Sequence, residues 1–178
     1  MRPRVLIIGA SGGVGTFAVQ IAKLLGAHVT AVTSTRNLEL VARLGADDVI
    51  DYTTTEVTRG IARFDLVLEL AGNRRRRDLA RILTPTGSLI ACGAPRGQWL
   101  GPLLGPAGLA IASRFSRRTY ASFLAKRDTD DLQRIADWLG EGALRVVIDE
   151  VHPLDRIADA VAHQLGEHAR GKVIVTIP

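Results

Sequence analysis

The seven residues Gly9-Ala10-Ser11-Gly12-Gly13-Val14-Gly15 carry the strongest chemical signal in this sequence. They stand between a short apolar, β-branched run, RVLII at 4–8, and a stretch whose residues Val14, Ala18, Ile21, Ala22 and Leu25 recur with helical period. A glycine-rich turn between a strand and a helix is what a dinucleotide pyrophosphate needs. Gly9 permits a tight exit from the strand, Gly12 or Gly13 lets backbone approach the phosphates, and Gly15 lets helix and strand pack closely. The amides of the first helical turn, at about Gly13 to Gly15, then face the phosphates with the positive end of the helix dipole behind them. A second signal follows on the next strand. Chains that bind NAD carry an acid there for the ribose 2′-hydroxyl, whereas residues 28–38, HVTAVTSTRNL, hold no acid and one arginine, Arg36. Ser34 and Thr35 add hydroxyl donors beside that guanidinium, a set suited to a 2′-phosphate. The expected cofactor is therefore NADPH in preference to NADH.

The elements that must position these residues alternate. Strands are predicted at 4–8, 28–32, 48–51, 65–70, 88–93 and 119–125, with helices over 13–25, 36–44, 75–83 and, weakly, 55–63. Strands separated by helices imply right-handed crossovers and a parallel sheet covered on both faces. Three strands plus three predict an α/β doubly wound Rossmann sheet in the order 3-2-1-4-5-6. Its ligand crevice lies between the loops leaving strands one and four, residues 9–15 and 71–74. Beyond residue 127 come a helix at 129–140, a strand at 145–149, a helix at 154–165 and a strand at 172–177. The expected division is a cofactor-binding domain over 1–140 and a strand-helix-strand tail over 141–178.

Composition excludes several classes. With 178 residues, 47% hydrophobic and 23% charged, the chain is neither disordered nor collagen-like and buries a sizeable core without disulfides. The single Cys92 fits a reducing compartment, and no apolar run is long enough to cross a bilayer, so the cytoplasm is expected and a membrane is not. The net charge of +5, with 20 arginines, favours an anionic ligand, but the positives are scattered except at Arg74 to Arg77 and aromatics are few, so nucleic acid is not expected. That arginine run reads as a solvated first helical turn. No metal is expected: His28, His152, His163 and His168 show no ligand spacing, and His163 and His168 read as solvated. Short-chain reductases need a lysine four residues after the catalytic tyrosine, where Tyr52 and Tyr120 are followed by Glu56 and Leu124.

The blocks GASGGVGTFAVQIAKLLGAHV, STRNLELVARLGADDVIDYTT, FDLVLELAGN and GEHARGKVIVTI resemble the medium-chain dehydrogenase/reductase superfamily, in particular its quinone oxidoreductase branch among the zinc-binding dehydrogenases. The resemblance runs from Arg4 to the carboxyl terminus. It implies NADPH-dependent reduction of a quinone, enone or related carbonyl, with residues 11–15 on the pyrophosphate and Ser34 to Arg36 at the 2′-phosphate. Tyr52 matches a tyrosine in that same phosphate region. Ala71, Gly72 and Asn73 match the loop beneath the nicotinamide ribose, and Cys92, Gly93 and Ala94 match another wall of that pocket. Family members also carry a GroES-like domain that supplies most of the substrate pocket and any catalytic zinc. The expectation here is that this half is absent, no zinc is held, and no catalytic residue can be named. Val146 to Ile148 and Val173 to Ile177 should then lack strand partners and form an exposed edge. The segment 95–125, with Trp99, Leu103 and Leu104, lies by resemblance at the substrate mouth and leads to a dimerisation edge near 119–125, although those three residues read first as core or interface. The alternatives are a non-catalytic NADP-binding module and one half of a split reductase whose GroES-like part is a separate chain.

Overall fold

The computed structural model describes residues 1–60, 62–72, 74–91, 117–122, 127–166 and 169–177. Strands β1 (Arg4–Ile8), β2 (His28–Thr33), β3 (Asp48–Asp51), β4 (Phe64–Glu69), β5 (Leu83–Ala91) and β6 (Thr119–Ser122) form one sheet in the order β3-β2-β1-β4-β5-β6. All of its pairings are parallel. The doubly wound order read from the alternation is the observed one, with β1 central and flanked by β2 and β4.

Strand period explains why β1 and β2 are apolar almost throughout. Leu6 and Ile8 join Val32, Val67 and Leu89 on one face, packed with Leu79 from helix α3 (Arg76–Arg81). Val5 and Ile7 join Val29 and Ala31 on the other, packed with Val19 from α1 (Gly15–Leu24) and Val41 from α2 (Leu38–Arg43). Each face thus needs its own helical cover, and a polar residue inward on either would leave a group without water or partner.

Three predicted elements differ from what forms. The helix expected over 55–63 is only a 3-10 turn, Val57–Arg59. Asp51 accepts from the Thr53 amide and hydroxyl at 2.9 and 2.7 Å just before it, and within it Glu56 accepts from the Thr58 amide at 3.1 Å, a local side-chain bond that competes with helix. Strand β5 starts at Leu83, five residues early, and its register shifts between the pairs Phe64–Leu83 and Leu66–Ser88. A Cβ on Gly87 would lie 2.8 Å from the Phe64 carbonyl oxygen, so the irregularity requires glycine there. The strand expected at 145–149 is displaced to β7 (Ile148–Pro153). Gln20 occupies both polar groups of Arg145: its Nε2 donates to the Arg145 carbonyl at 3.0 Å and its Oε1 accepts from the Arg145 amide at 2.9 Å.

After α4 (Thr129–Gly140), the tail consists of β7, helix α5 (Ile157–Leu165) and β8 (Lys172–Thr176), with β7 and β8 paired in parallel as a second, two-stranded sheet. Of the unpartnered apolar edge expected here, Val146 and Ile177 are 44% and 77% exposed, whereas Ile148, 51% exposed, has a strand partner in Lys172. The edge is not present at Val173, Ile174 and Val175, because β8 pairs with β7 and these become half-buried. Besides Gln20, the tail is tied to the glycine-rich turn by the Gly171 amide, which donates to the Ser11 carbonyl at 2.9 Å. Gln20→Ala should therefore destabilise the protein by about 1–3 kcal/mol, because two half-buried backbone groups lose their partner. Thermal unfolding should show a Tm lower by roughly 2–10 °C, and an unchanged Tm would mean that other contacts hold the tail.

Candidate functional site

The carboxyl ends of β1, β2 and β4 open onto a cavity of about 710 Å³, at the place in the sheet where the strand order reverses. Gly9, at φ +84°, turns the chain out of β1, and the Gly9 and Ala10 amides both donate to the Val32 carbonyl, at 3.2 and 3.1 Å. This sets the glycine-rich turn beside the end of β2. Gly15 then packs α1 directly on β1: a Cβ there would overlap the Gly9 carbonyl oxygen and lie 2.7 Å from Ala10 Cα. Gly12 lines the cavity. Gly13 does not, because its would-be Cβ meets the Gly171 carbonyl oxygen at 2.9 Å and Lys172 Nζ at 3.2 Å. Of the two glycines open to the role of ligand approach, the geometry selects Gly12; Gly13 is small to admit the tail.

Seven of the residues expected in the site line the cavity: Ser11, Gly12, Ser34, Thr35, Arg36, Tyr52 and Ala71. Val14 is exposed, Gly15 is buried under the turn, and Gly72 is half-buried; none of the three is among the lining residues. Asn73, Cys92, Gly93, Ala94, Trp99, Leu103, Leu104 and residues 123–125 lie outside the described residues. Two hydrogen-bonded groups hold the β2 side in shape. Ser11 Oγ accepts from Thr33 Oγ1 at 2.9 Å and from Asn37 Nδ2 at 3.1 Å. The Thr35 hydroxyl donates to Asp51 at 2.6 Å, and this bond, with those from Thr53, holds the Asp51 carboxyl below the usual carboxylate range.

Arg74 departs from its expected place in a solvated turn. Its side chain is only 15% exposed, lies 3.6 Å from Glu56 and lines the cavity, while Arg75, Arg76 and Arg77 are exposed. The signal lay in its position at the end of the 71–74 loop after β4, which outweighs its membership of a charge run. Ala169 also lines the cavity, reaching it from the tail, and nothing in its sequence neighbourhood points there. Glu69 is a further residue not anticipated: it ends β4, is 3% exposed, and accepts from the Ala71 and Gly72 amides at 2.9 and 2.8 Å. Burial pushes its carboxyl up despite those two amides and the Arg74 charge.

The two loops differ in what backbone they leave unpaired. In the glycine-rich turn the amides of Ser11, which lines the cavity, and of Gly13, Val14 and Gly15, which do not, donate to no backbone carbonyl among the described residues, as at an open helix amino terminus. The Leu70, Ala71 and Gly72 amides are all taken, by the Ile8 carbonyl and by Glu69. The side chains lining the cavity include two cations, Arg36 and Arg74, and no carboxylate among the described residues. Such a lining is electrostatically suited to an anion.

The histidines serve as ties. His163, expected in solvent, is half-buried, with Nε2 2.8 Å from Asp149, which also accepts from the Arg170 amide at 2.9 Å. Burial alone would raise the Asp149 carboxyl, but these partners outweigh it and hold it below its usual range. His168 lies outside the described residues. Among the described residues no three His, Cys, Asp or Glu side chains gather to hold a metal ion, and no helix is long and apolar enough to cross a membrane.

Residues 44–175 match the family model of the zinc-binding dehydrogenases. The chain is 34% identical over 98% of its length to the chloroplast envelope quinone oxidoreductase homolog of Arabidopsis thaliana, covering 52% of that protein. It is also 34% identical over 98% of its length to the mitochondrial NAD(P)H oxidoreductase RTN4IP1 of Mus musculus, covering 48% of it. The quinone oxidoreductase of Coxiella burnetii has the same fold, with a TM-score of 0.84 at 23% identity over 99% of this chain and 53% of that one. The chain thus spans about half the length of the relatives it matches.

Proposed function

Since the chain belongs to the zinc-binding dehydrogenase family of the medium-chain dehydrogenase/reductase superfamily, we propose that it is the NADPH-binding part of a reductase acting on a quinone, enone or related carbonyl compound. The observation that carries this reading is the cavity itself: free amides at the glycine-rich turn, Arg36 and Arg74 in the lining, and no carboxylate among its described residues. An acid hydrogen-bonded to a ribose 2′-hydroxyl has no place on this lining, whereas a 2′-phosphate finds a cation and hydroxyls. The turn at residues 11–15 would hold the pyrophosphate, with Ser11 and Gly12 in the lining, and Ser34, Thr35, Arg36 and Tyr52 the 2′-phosphate. Ala71, Gly72 and Asn73 would lie toward the nicotinamide ribose, with Cys92, Gly93 and Ala94 beyond. When bound, the reduced nicotinamide supplies a hydride to an electron-poor carbon of the acceptor. The relatives named for quinone and NAD(P)H oxidoreduction support that class of chemistry. A single cysteine fits a reducing compartment such as the cytoplasm.

The tail favours a part of a larger assembly over a free-standing enzyme. Val151, Leu154, Ile157, Val161 and Leu165 are 45–74% exposed, on a two-stranded sheet and its crossover helix. A parallel pair open to water is short of cover, and a GroES-like unit, on this or another chain, would supply both that cover and most of an acceptor pocket. Strand β6, which ends the main sheet, offers a second edge where two copies would pair.

Titration of the chain with NADPH and with NADH, followed by thermal stability, tests the reading. A ligand that binds only the folded state raises stability by RT ln(1 + [L]/Kd), about 2.7 kcal/mol at a hundredfold excess over Kd. The expected result is a larger rise in Tm with NADPH than with NADH at equal concentration. Equal shifts would remove the 2′-phosphate assignment, and no shift with either would remove the cofactor assignment.

A further inference from the structure

Resting on that cofactor reading, we propose that Glu69 is a positioning residue for the ligand: its carboxyl shapes the loop after β4 and withdraws the Ala71 and Gly72 amides, so that phosphate finds its backbone donors at the glycine-rich turn and not at these two residues. One oxygen, Oε1, accepts from both the Ala71 and the Gly72 amides, at 2.9 and 2.8 Å. The other, Oε2, is buried without a hydrogen-bond partner. An acid kept inside the protein with one oxygen unsatisfied is costly, and a loop that served only to connect β4 to α3 would be closed more cheaply by a Ser or Asn turn. What the acid secures is local and lies at the cavity. Leu70 and Ala71 line it, Gly72 is held at φ +70°, and the loop backbone packs against Gly9, whose would-be Cβ lies 3.4 Å from the Ala71 nitrogen. Arg74, also in the lining, is the cation nearest in effect to the Glu69 carboxyl.

The consequence is directional. With the amides of residues 70–72 all occupied, this wall offers apolar side chains and carbonyl oxygens, which suit sugar hydroxyls or an amino group. The turn at 11–15, with its unoccupied amides, suits the pyrophosphate. The dinucleotide is thereby set in one orientation across the two walls, and loss of the Glu69 carboxyl removes that distinction.

The test compares NADPH binding to the wild-type chain, E69Q and E69A, measured at a temperature where each is folded. Glutamine keeps an acceptor for both amides, so E69Q should bind within about threefold of wild type, whereas E69A, with two amides released, should bind about tenfold more weakly or worse. Should E69A not fold, E69D, one methylene too short for its oxygen to reach both amides, replaces it with the same expectation. A variant that loses Tm but binds NADPH as wild type does would reduce Glu69 to a purely structural group and overturn the proposal. Failure of the wild-type chain to bind NADPH would instead overturn the cofactor reading. A ligand-independent measurement keeps the two apart: the Ala71 and Gly72 amide resonances should shift together through one titration in wild type and stay constant in E69Q. Amides that ignore pH in the wild type would show that the carboxyl does not hold the loop.

Discussion

Replacing Arg36 by alanine is expected to raise the Kd for NADPH by about ten- to a hundredfold and to leave that for NADH within about twofold. The asymmetry follows from the one chemical difference between the cofactors, a 2′-phosphate. A hydrogen bond to a charged group contributes about 1.5–3 kcal/mol, which is the tenfold to hundredfold quoted. Arg36 stands in the short 3-10 turn Thr35–Asn37 at the carboxyl end of β2, exposed and in the cavity lining. Ser34 and Thr35 remain in the variant, so residual preference for NADPH is expected. Titration of both cofactors against both proteins checks this. Equal losses for NADPH and NADH would place Arg36 on a part of the ligand common to both.

The second large effect is on the fold rather than the ligand. Gly15→Ala should destabilise the protein by at least about 3 kcal/mol, because the new methyl meets the Gly9 carbonyl and the Ala10 backbone and not a side chain that could move aside. Those backbone atoms are fixed in turn by the Gly9 and Ala10 amides on the Val32 carbonyl. In thermal unfolding, Tm should fall by roughly 6–12 °C. Gly12→Ala is the matched control, since its nearest contact, the Gly9 carbonyl oxygen, would lie at an ordinary 3.5 Å. That variant should keep Tm within about 2 °C while weakening NADPH binding. A Gly15→Ala protein as stable as wild type would mean that helix α1 can shift away from β1 without loss.

Much of the fold is legible because its cause is local or periodic. Runs such as RVLII and HVTAVT are apolar on both faces, which only a covered parallel strand tolerates, and glycines stand where each strand must turn into a helix. The displaced elements are those where a particular contact, near or distant in the chain, overrides the periodic pattern. Gln20 takes the backbone of Arg145, 125 residues away, and pushes the start of β7 onward. Glu56 takes the Thr58 amide two residues on, and the helix expected over 55–63 shrinks to one turn.

The candidate site divides the same way. By itself the sequence determined the glycine-rich turn, the absence of an acid after β2 and the cation beside it, because these are questions of residue type at a strand end. Only the tertiary structure decided between Gly12 and Gly13, since the difference is a neighbour, Gly171, that the chain reaches 158 residues later. It also drew Arg74 out of an exposed run into the cavity, brought Ala169 to the same wall, and buried Glu69 beneath its loop. Charge patterns and periodicity report what a residue prefers beside its chain neighbours; burial and partnership depend on what the folded sheet sets against it, and at these five positions that decides the role.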